Sequence, residues 1–185
     1  MPGYVALLRG INVGGRNKVA MADLRDLAAA LGHGDVATYI QSGNMVFTSA
    51  ETDTSALADA LEAGIAERTG VRAPVVVVSA AELAGVIERN PFPGEDNPKA
   101  LHAVFRRDDM PAAGAEAVAK AARLAREAGS RDEAAIVGRT LYLRTPDGLG
   151  RSDLAARLSR SAAQAAGTAR NWATVTKLMS MLPAG

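Results

Sequence analysis

Residues 36–49, VATYIQSGNMVFTS, decide the fold. Val36–Gln41 and Met45–Ser49 read as two strands, and Ser42-Gly43-Asn44 between them is a hairpin signal. What flanks this hairpin fixes its place. Upstream, Tyr4–Arg9 is a short apolar run read as a strand. Met21, Leu24, Leu27, Ala28 and Leu31 then recur at helical spacing, and Gly32 stops that helix. Downstream, Leu57, Leu61 and Ile65 mark a helix from about Ser55 to Arg68, closed by Gly70. Ala73–Ser79, with Val75 to Val78 unbroken, suits a buried central strand. The order is βαββαβ, the split βαβ pattern of ferredoxin-like domains.

The pattern then restarts. Ser79-Ala80-Ala81-Glu82 is a capping box opening a helix to about Arg89. Residues 90–98, NPFPGEDNP, cannot continue a helix or a central strand. Leu101–Arg107 is a strand and Ala112–Ala128 a helix ended by Gly129. Ala134–Val137 and Thr140–Thr145 form a hairpin near Gly138-Arg139, broken by Pro146-Asp147-Gly148. Ser152 caps a helix to about Ala163. No apolar run follows to complete the second sheet. Trp172, Val175, Met179 and Leu182 recur at helical spacing instead, so a terminal helix is expected over Asn171–Leu182, with Trp172 as a core anchor.

The expected class is therefore α+β: two ferredoxin-like βαββα(β) halves, the second ending in a helix in place of its last strand. The missing strand would leave an open sheet edge. The divisions expected are 1–90, a Pro-rich connection at 91–99, and 100–185. The second half reads as a weak internal repeat of the first.

Composition excludes several classes. A chain of 185 residues, 48% hydrophobic and 22% charged, can bury a real core. No run approaches the roughly 18 apolar residues of a membrane span, and Val5 to Leu8 is too short for a signal peptide. A cytoplasmic, non-membrane protein is expected. Without cysteine there are no disulfides, thiolate metal sites or cysteine nucleophiles, and two histidines, His33 and His102, are too few for a histidine-rich metal site. Net charge is +1, but residues 1–100 carry 8 basic and 12 acidic groups and the remainder 13 and 8. The excess lies in the last fifty residues, a mildly basic end that can attract a polyanion.

Three stretches could carry chemistry. The first is Arg9-Gly10-Ile11-Asn12-Val13-Gly14-Gly15-Arg16-Asn17-Lys18, leading from a strand to a helix. Its glycines permit unusual backbone angles, and Arg9, Arg16 and Lys18 supply positive charge for an anion. Gly10 and Gly15 have Walker A spacing, yet Arg16 stands where the lysine belongs and Asn17 where the hydroxyl belongs, so a nucleotide triphosphatase is rejected. The second is Tyr39–Phe47, where Gln41, Ser42 and Asn44 offer uncharged hydrogen-bonding groups, or simply a tight turn. The third is Thr168–Leu178. On a helix, Arg170, Thr174 and Lys177 share one face, and Asn171 can cap it. No catalytic set emerges: Asp108-Asp109 fits a turn, and no GxSxG elbow exists.

RGINVGG, YIQSGNMVF and TARNWATVTKL, in that order, resemble the bacterial family catalogued as domain of unknown function 1697. The resemblance spans nearly the whole chain. It implies a cytoplasmic bacterial α/β protein built from two related halves, and it implies no activity, cofactor or substrate.

The leading expectation is a small-anion binder, for phosphate, a nucleotide or a phosphorylated metabolite. Its site would draw on Arg9, Gly10, Asn12, Gly14, Gly15, Arg16, Lys18, Ser42, Asn44, Arg170, Asn171, Thr174 and Lys177. One alternative is a nucleic-acid-binding protein using the basic C-terminal third, against which stand few aromatics and no RRM signature. The other is an interaction protein whose motifs only hold the halves together. Clustered cations without acids repel unless something negative joins them. That argument expects the glycine-rich loop and Arg170 at one end of the molecule.

Overall fold

The computed structural model describes residues 1–160 and 167–183. By its contacts the chain divides into two compact units, Met1–Gly85 with Lys177–Gly185, and Val86–Thr176. The division thus falls at Gly85 and again at Thr176, whereas the sequence expectation placed it at 91–99. Residues 89–100 themselves hold no helix or strand.

The first unit runs β1 (Gly3–Leu8), α1 (Met21–Ala30), β2 (Gly34–Tyr39), β3 (Asn44–Thr48), α2 (Thr54–Thr69) and β4 (Val75–Ser79). The strands form one antiparallel sheet in the order β2-β3-β1-β4. Alternate strand residues share a face. Tyr4, Ala6, Leu8, Met45, Phe47, Val75 and Val77 pack against Met21, Leu24, Leu27 and Ala28 of α1 and Leu57, Ala58, Leu61 and Ile65 of α2. Val5, Leu7, Val46, Val76 and Val78, from the other face, are buried as well. That is why these strands read as continuous apolar runs. Caps set the helix starts: Asp53 accepts from the amides of Ser55 and Ala56, and Ser79 and Glu82 form the expected capping box for α3 (Ala80–Glu88).

The second unit runs β5 (Leu101–Arg106), α4 (Ala112–Glu127), β6 (Glu133–Val137), β7 (Thr140–Arg144), α5 (Asp153–Ser159) and β8 (Gly167–Asn171). α6 (Trp172–Met181) follows directly. The sheet order β6-β7-β5-β8 repeats that of the first unit, all antiparallel. Val104, Leu141 and Leu143 face Val118, Ala121 and Ala125 of α4 and Leu154 and Leu158 of α5. On the reverse face, the buried Tyr142 donates its hydroxyl to the Val86 carbonyl at 2.8 Å, and its ring centroid lies 6.4 Å from that of the partly buried Trp172.

The α+β class and the paired four-stranded sheets match expectation, but the second half does not lack its last strand. Gly167–Asn171 pairs with β5 in register from Arg106↔Gly167 to His102↔Asn171, and the position expected to be an open edge is filled. The segment escapes an apolar-period reading because only Ala169 in it is aliphatic. Backbone pairing holds it, and Gly167 allows the approach: a Cβ there would meet Val104 Cγ1 at 2.5 Å. The helix capped by Ser152 is described as far as Ser159; residues 161–163 of its expected end lie outside the described residues. Among the described residues no helix is long and apolar enough to cross a membrane.

Candidate functional site

The glycine-rich stretch is the connection from β1 to α1, residues 9–20, and the structure shows what holds it. The Asn12 amide makes three hydrogen bonds: Nδ2 donates to the carbonyls of Val19 and Gln41, both at 2.8 Å, and Oδ1 accepts from the Val19 amide at 3.0 Å. Asn17 Nδ2 donates to the Gly10 carbonyl at 2.9 Å. The backbone closes a miniature hairpin, with the Asn12 amide donating to Asn17 and the Arg16 amide to Val13. At its tip Gly14 and Gly15 have φ of 58° and 75°, the paired left-handed geometry that selects Gly-Gly. Asn12 and Asn17 are also left-handed, which asparagine tolerates better than most residues.

The second motif stands beside the first. The Leu8 amide donates to Gly43, and the Arg9 amide to Pro74. Asn44 is fully buried and donates to the Tyr39 carbonyl and to Ser42 Oγ. Gly43, at φ 82°, has no room for a side chain: a Cβ would lie 2.7 Å from Leu8 Cβ and 2.8 Å from Ile11 Cδ1. The polar side chains Asn12, Asn17, Ser42 and Asn44 therefore build the corner. Arg9, Gly10, Gly14, Gly15, Arg16 and Lys18 are exposed on it. Arg16 and Lys18 make no ion pair or side-chain hydrogen bond among the described residues, and neither do the amides of Gly14 and Gly15. Asn12, Gly15, Lys18, Val19, Ala20 and Gln41 line an open hollow of about 370 Å³.

Sequence reasoning missed two features of this corner. Ala20, at the N-cap of α1, offers no side-chain acceptor, so the first-turn amides beside the hollow lack a cap. The absence of Ser, Thr, Asp or Asn from residues 18–20 is the signal that was there to read. The second feature is Ile40, left-handed at φ 50° and 52% exposed.

The third motif is arranged otherwise than expected. Arg170 lies in β8, opposite Ala103, not on a helical face with Thr174 and Lys177. The helix begins only at Trp172, because Asn171 ends the strand and caps α6, accepting from the Thr174 amide at 2.9 Å. Arg170 Nη1 donates to Thr168 Oγ1 and the Ala169 carbonyl, and burial pushes its pKa down to about 10. Thr174 is buried and Lys177 exposed. Much of the basic excess is also engaged locally. Arg144 bonds Glu95 and Glu133, Arg157 bonds Asp153, and Arg139 donates to the Arg107 carbonyl.

Among the described residues no group of three or more histidines or carboxylates is arranged to hold a metal ion. His33 is partly buried and His102 buried, and desolvation lowers the pKa of each. His33 stacks on Phe47 at 4.7 Å.

No curated protein matches the chain. Among solved structures it is similar to the conserved bacterial protein SP0830 from Streptococcus pneumoniae, at 24% identity and a TM-score of 0.79, over 97% of this chain and 98% of that one. That likeness carries the fold. A family model described as "Protein of unknown function (DUF1697)" matches residues 1–142, which include both corner motifs, and the chain belongs to that family.

Proposed function

We propose that the protein binds a small anion, phosphate or the phosphate of a nucleotide or phosphorylated metabolite, at the corner built by residues 9–20 and 40–44. One comparison within the molecule carries the reading. The connection from β1 to α1 takes twelve residues, 9–20, while the equivalent connection from β5 to α4 takes five, 107–111. The fold does not need the longer path. The extra residues are wound into a pinned hairpin that presents Gly14, Gly15, Arg16 and Lys18 beside an uncapped helix start, and such a set suits an anion. Asn12, Asn17, Ser42 and Asn44 act by holding it. Arg170 donates to Thr168 and Ala169 of its own strand, Asn171 caps α6 and Thr174 is buried, so we take a narrower binding set than the sequence list. We give polyanion binding through the C-terminal third second place, because Arg144 and Arg157 are engaged by carboxylates.

Calorimetric titration with inorganic phosphate tests the reading. The wild type should bind, and Arg16→Ala with Lys18→Ala should abolish binding while leaving Tm within a few degrees, since both side chains are exposed. Unchanged binding in the double variant would refute the assignment. A shallow salt dependence should accompany a single small anion, and a steep one a multi-phosphate contact.

A further inference from the structure

Each four-stranded sheet has two edge strands, β2 and β4 in the first unit and β6 and β8 in the second. An edge strand presents unpaired amides and carbonyls, a template for another strand unless something blocks it. Three of these edges carry a block. On β2 the register shifts between Gly34 and Ala37, with Asp35 left-handed at φ 48°, and such a bulge breaks the outward row. On β4 the Val75 amide donates to Glu62 Oε1 at 2.7 Å and the Ser79 amide to Glu82 Oε2 at 2.8 Å. On β8 the Arg170 side chain folds back onto its own strand and donates to the Ala169 carbonyl. β6 is different. Its sequence, EAAIV, has no proline or lysine, and its ladder to β7 runs without a bulge from Glu133↔Arg144 to Val137↔Thr140.

The register shows which groups of β6 are left over. Gly138-Arg139 is a two-residue turn, so Val137 and Thr140 form a hydrogen-bonded pair, as do Ala135 with Tyr142 and Glu133 with Arg144. Ala134 and Ile136 therefore turn their amides and carbonyls outward. Both residues are partly exposed, and among the described residues neither amide has a hydrogen-bond partner.

We propose that β6 is an association edge at which a second copy of this chain pairs antiparallel, β6 on β6. The strand is complementary to itself in that direction. Centred on Ala135, the pairing sets Ala134 of each copy opposite Ile136 of the other, so their outward amides and carbonyls satisfy one another. It also brings the Glu133 end of each strand to the Arg139 end of the other, opposite charges, whereas a parallel pairing sets like charges together. A net charge of +1 adds little repulsion between copies. Two strands of five residues make a small interface, so the dimer is weak and depends on concentration.

Sedimentation equilibrium from about 10 μM to about 1 mM, with amide hydrogen exchange followed by NMR, tests this. The wild type should dimerise across that range. Protection of the Ala134 and Ile136 amides should rise with concentration, while that of Ala135, already bonded to β7, should stay constant. Ala134→Pro removes an outward donor and spares the ladder to β7, so it should abolish the dimer without changing the circular dichroism. Glu133→Lys and Arg139→Glu should each raise the dissociation constant about tenfold, because two symmetry-related pairs are lost at once, and the two together should restore it. These charge variants decide the matter if Ala134→Pro does not fold. A wild type that stays monomeric throughout the range would overturn the inference. So would a dimer that ignores Ala134→Pro and both charge reversals, or one in which the Ala134 and Ile136 amides gain no protection, since its interface would lie elsewhere.

Discussion

Replacing Asn12 with alanine should loosen the whole corner. The side chain makes three hydrogen bonds, two to Val19 and one to Gln41. A net hydrogen bond is worth about 0.5–1.5 kcal/mol. The bond to Gln41 is exposed and water can replace part of it, so about 2 kcal/mol is a fair total for the three. The φ of 54° adds a backbone term, since alanine lacks the local polar compensation that lets asparagine sit there; this costs about 1 kcal/mol. The sum is about 3 kcal/mol, or a Tm lowered by roughly 6–12 °C in a chain of this size. Urea unfolding of Asn12→Ala and Asn12→Gly separates the terms. Glycine should recover about 1 kcal/mol, because it removes the hydrogen bonds and not the backbone freedom. Phosphate affinity should fall in both variants, although Asn12 need not touch the ligand. A loss below about 1 kcal/mol in Asn12→Ala would mean that water substitutes for all three bonds and that the pinned loop is not a stability element.

Gly43→Ala should be among the most destabilising single methyl additions, at about 2–4 kcal/mol from overpacking and left-handed strain together; chemical denaturation checks this. Asp132 is buried and accepts from Ser152 Oγ and the Leu154 amide, so Asp132→Ala should cost about 1–3 kcal/mol and weaken the start of α5, measurable by hydrogen exchange in that helix. Acid should destabilise the protein through its histidines: the folded pKa values of His33 and His102 lie below the unfolded value of about 6.5. The unfolded chain then binds the protons first, so stability is complete above about pH 6.5 and falls as pH drops below it, until the folded values are passed. Unfolding free energies measured across that window should flatten in the double variant His33→Gln, His102→Gln, and an unchanged slope would remove the histidines as its cause.

The elements legible in the sequence share one property: their own side chains bury them. α1, α2 and α4 show their faces at helical spacing, and β1, β3, β4 and β7 show apolar runs because both faces of each are covered. β8 is held by its ladder to β5, and a ladder has no side-chain signature beyond Gly167, whose missing Cβ lets Val104 approach. The same limit acted on Arg170. Two residues before a helix it looked like part of one, and only the pairing with Ala103 places it in a strand.

The corner was legible as a cluster but not as a division of labour, because an exposed asparagine that presents itself to a ligand and one that ties a loop to a carbonyl have the same letter. The charges and the tip glycines are what remain once the asparagines are assigned to the scaffold. One further step was open to the sequence and was not taken. Once the two halves are read as the same βαββαβ order, their matching connections can be measured against each other, from Leu8 to Met21 and from Arg106 to Ala112. The residues by which the first exceeds the second are unneeded for chain closure, and closing a longer loop costs entropy. The longer connection is instead held by six side-chain and backbone bonds, five within residues 10–19 and one from Asn12 to Gln41, and that cross-linking offsets the entropy its closure costs.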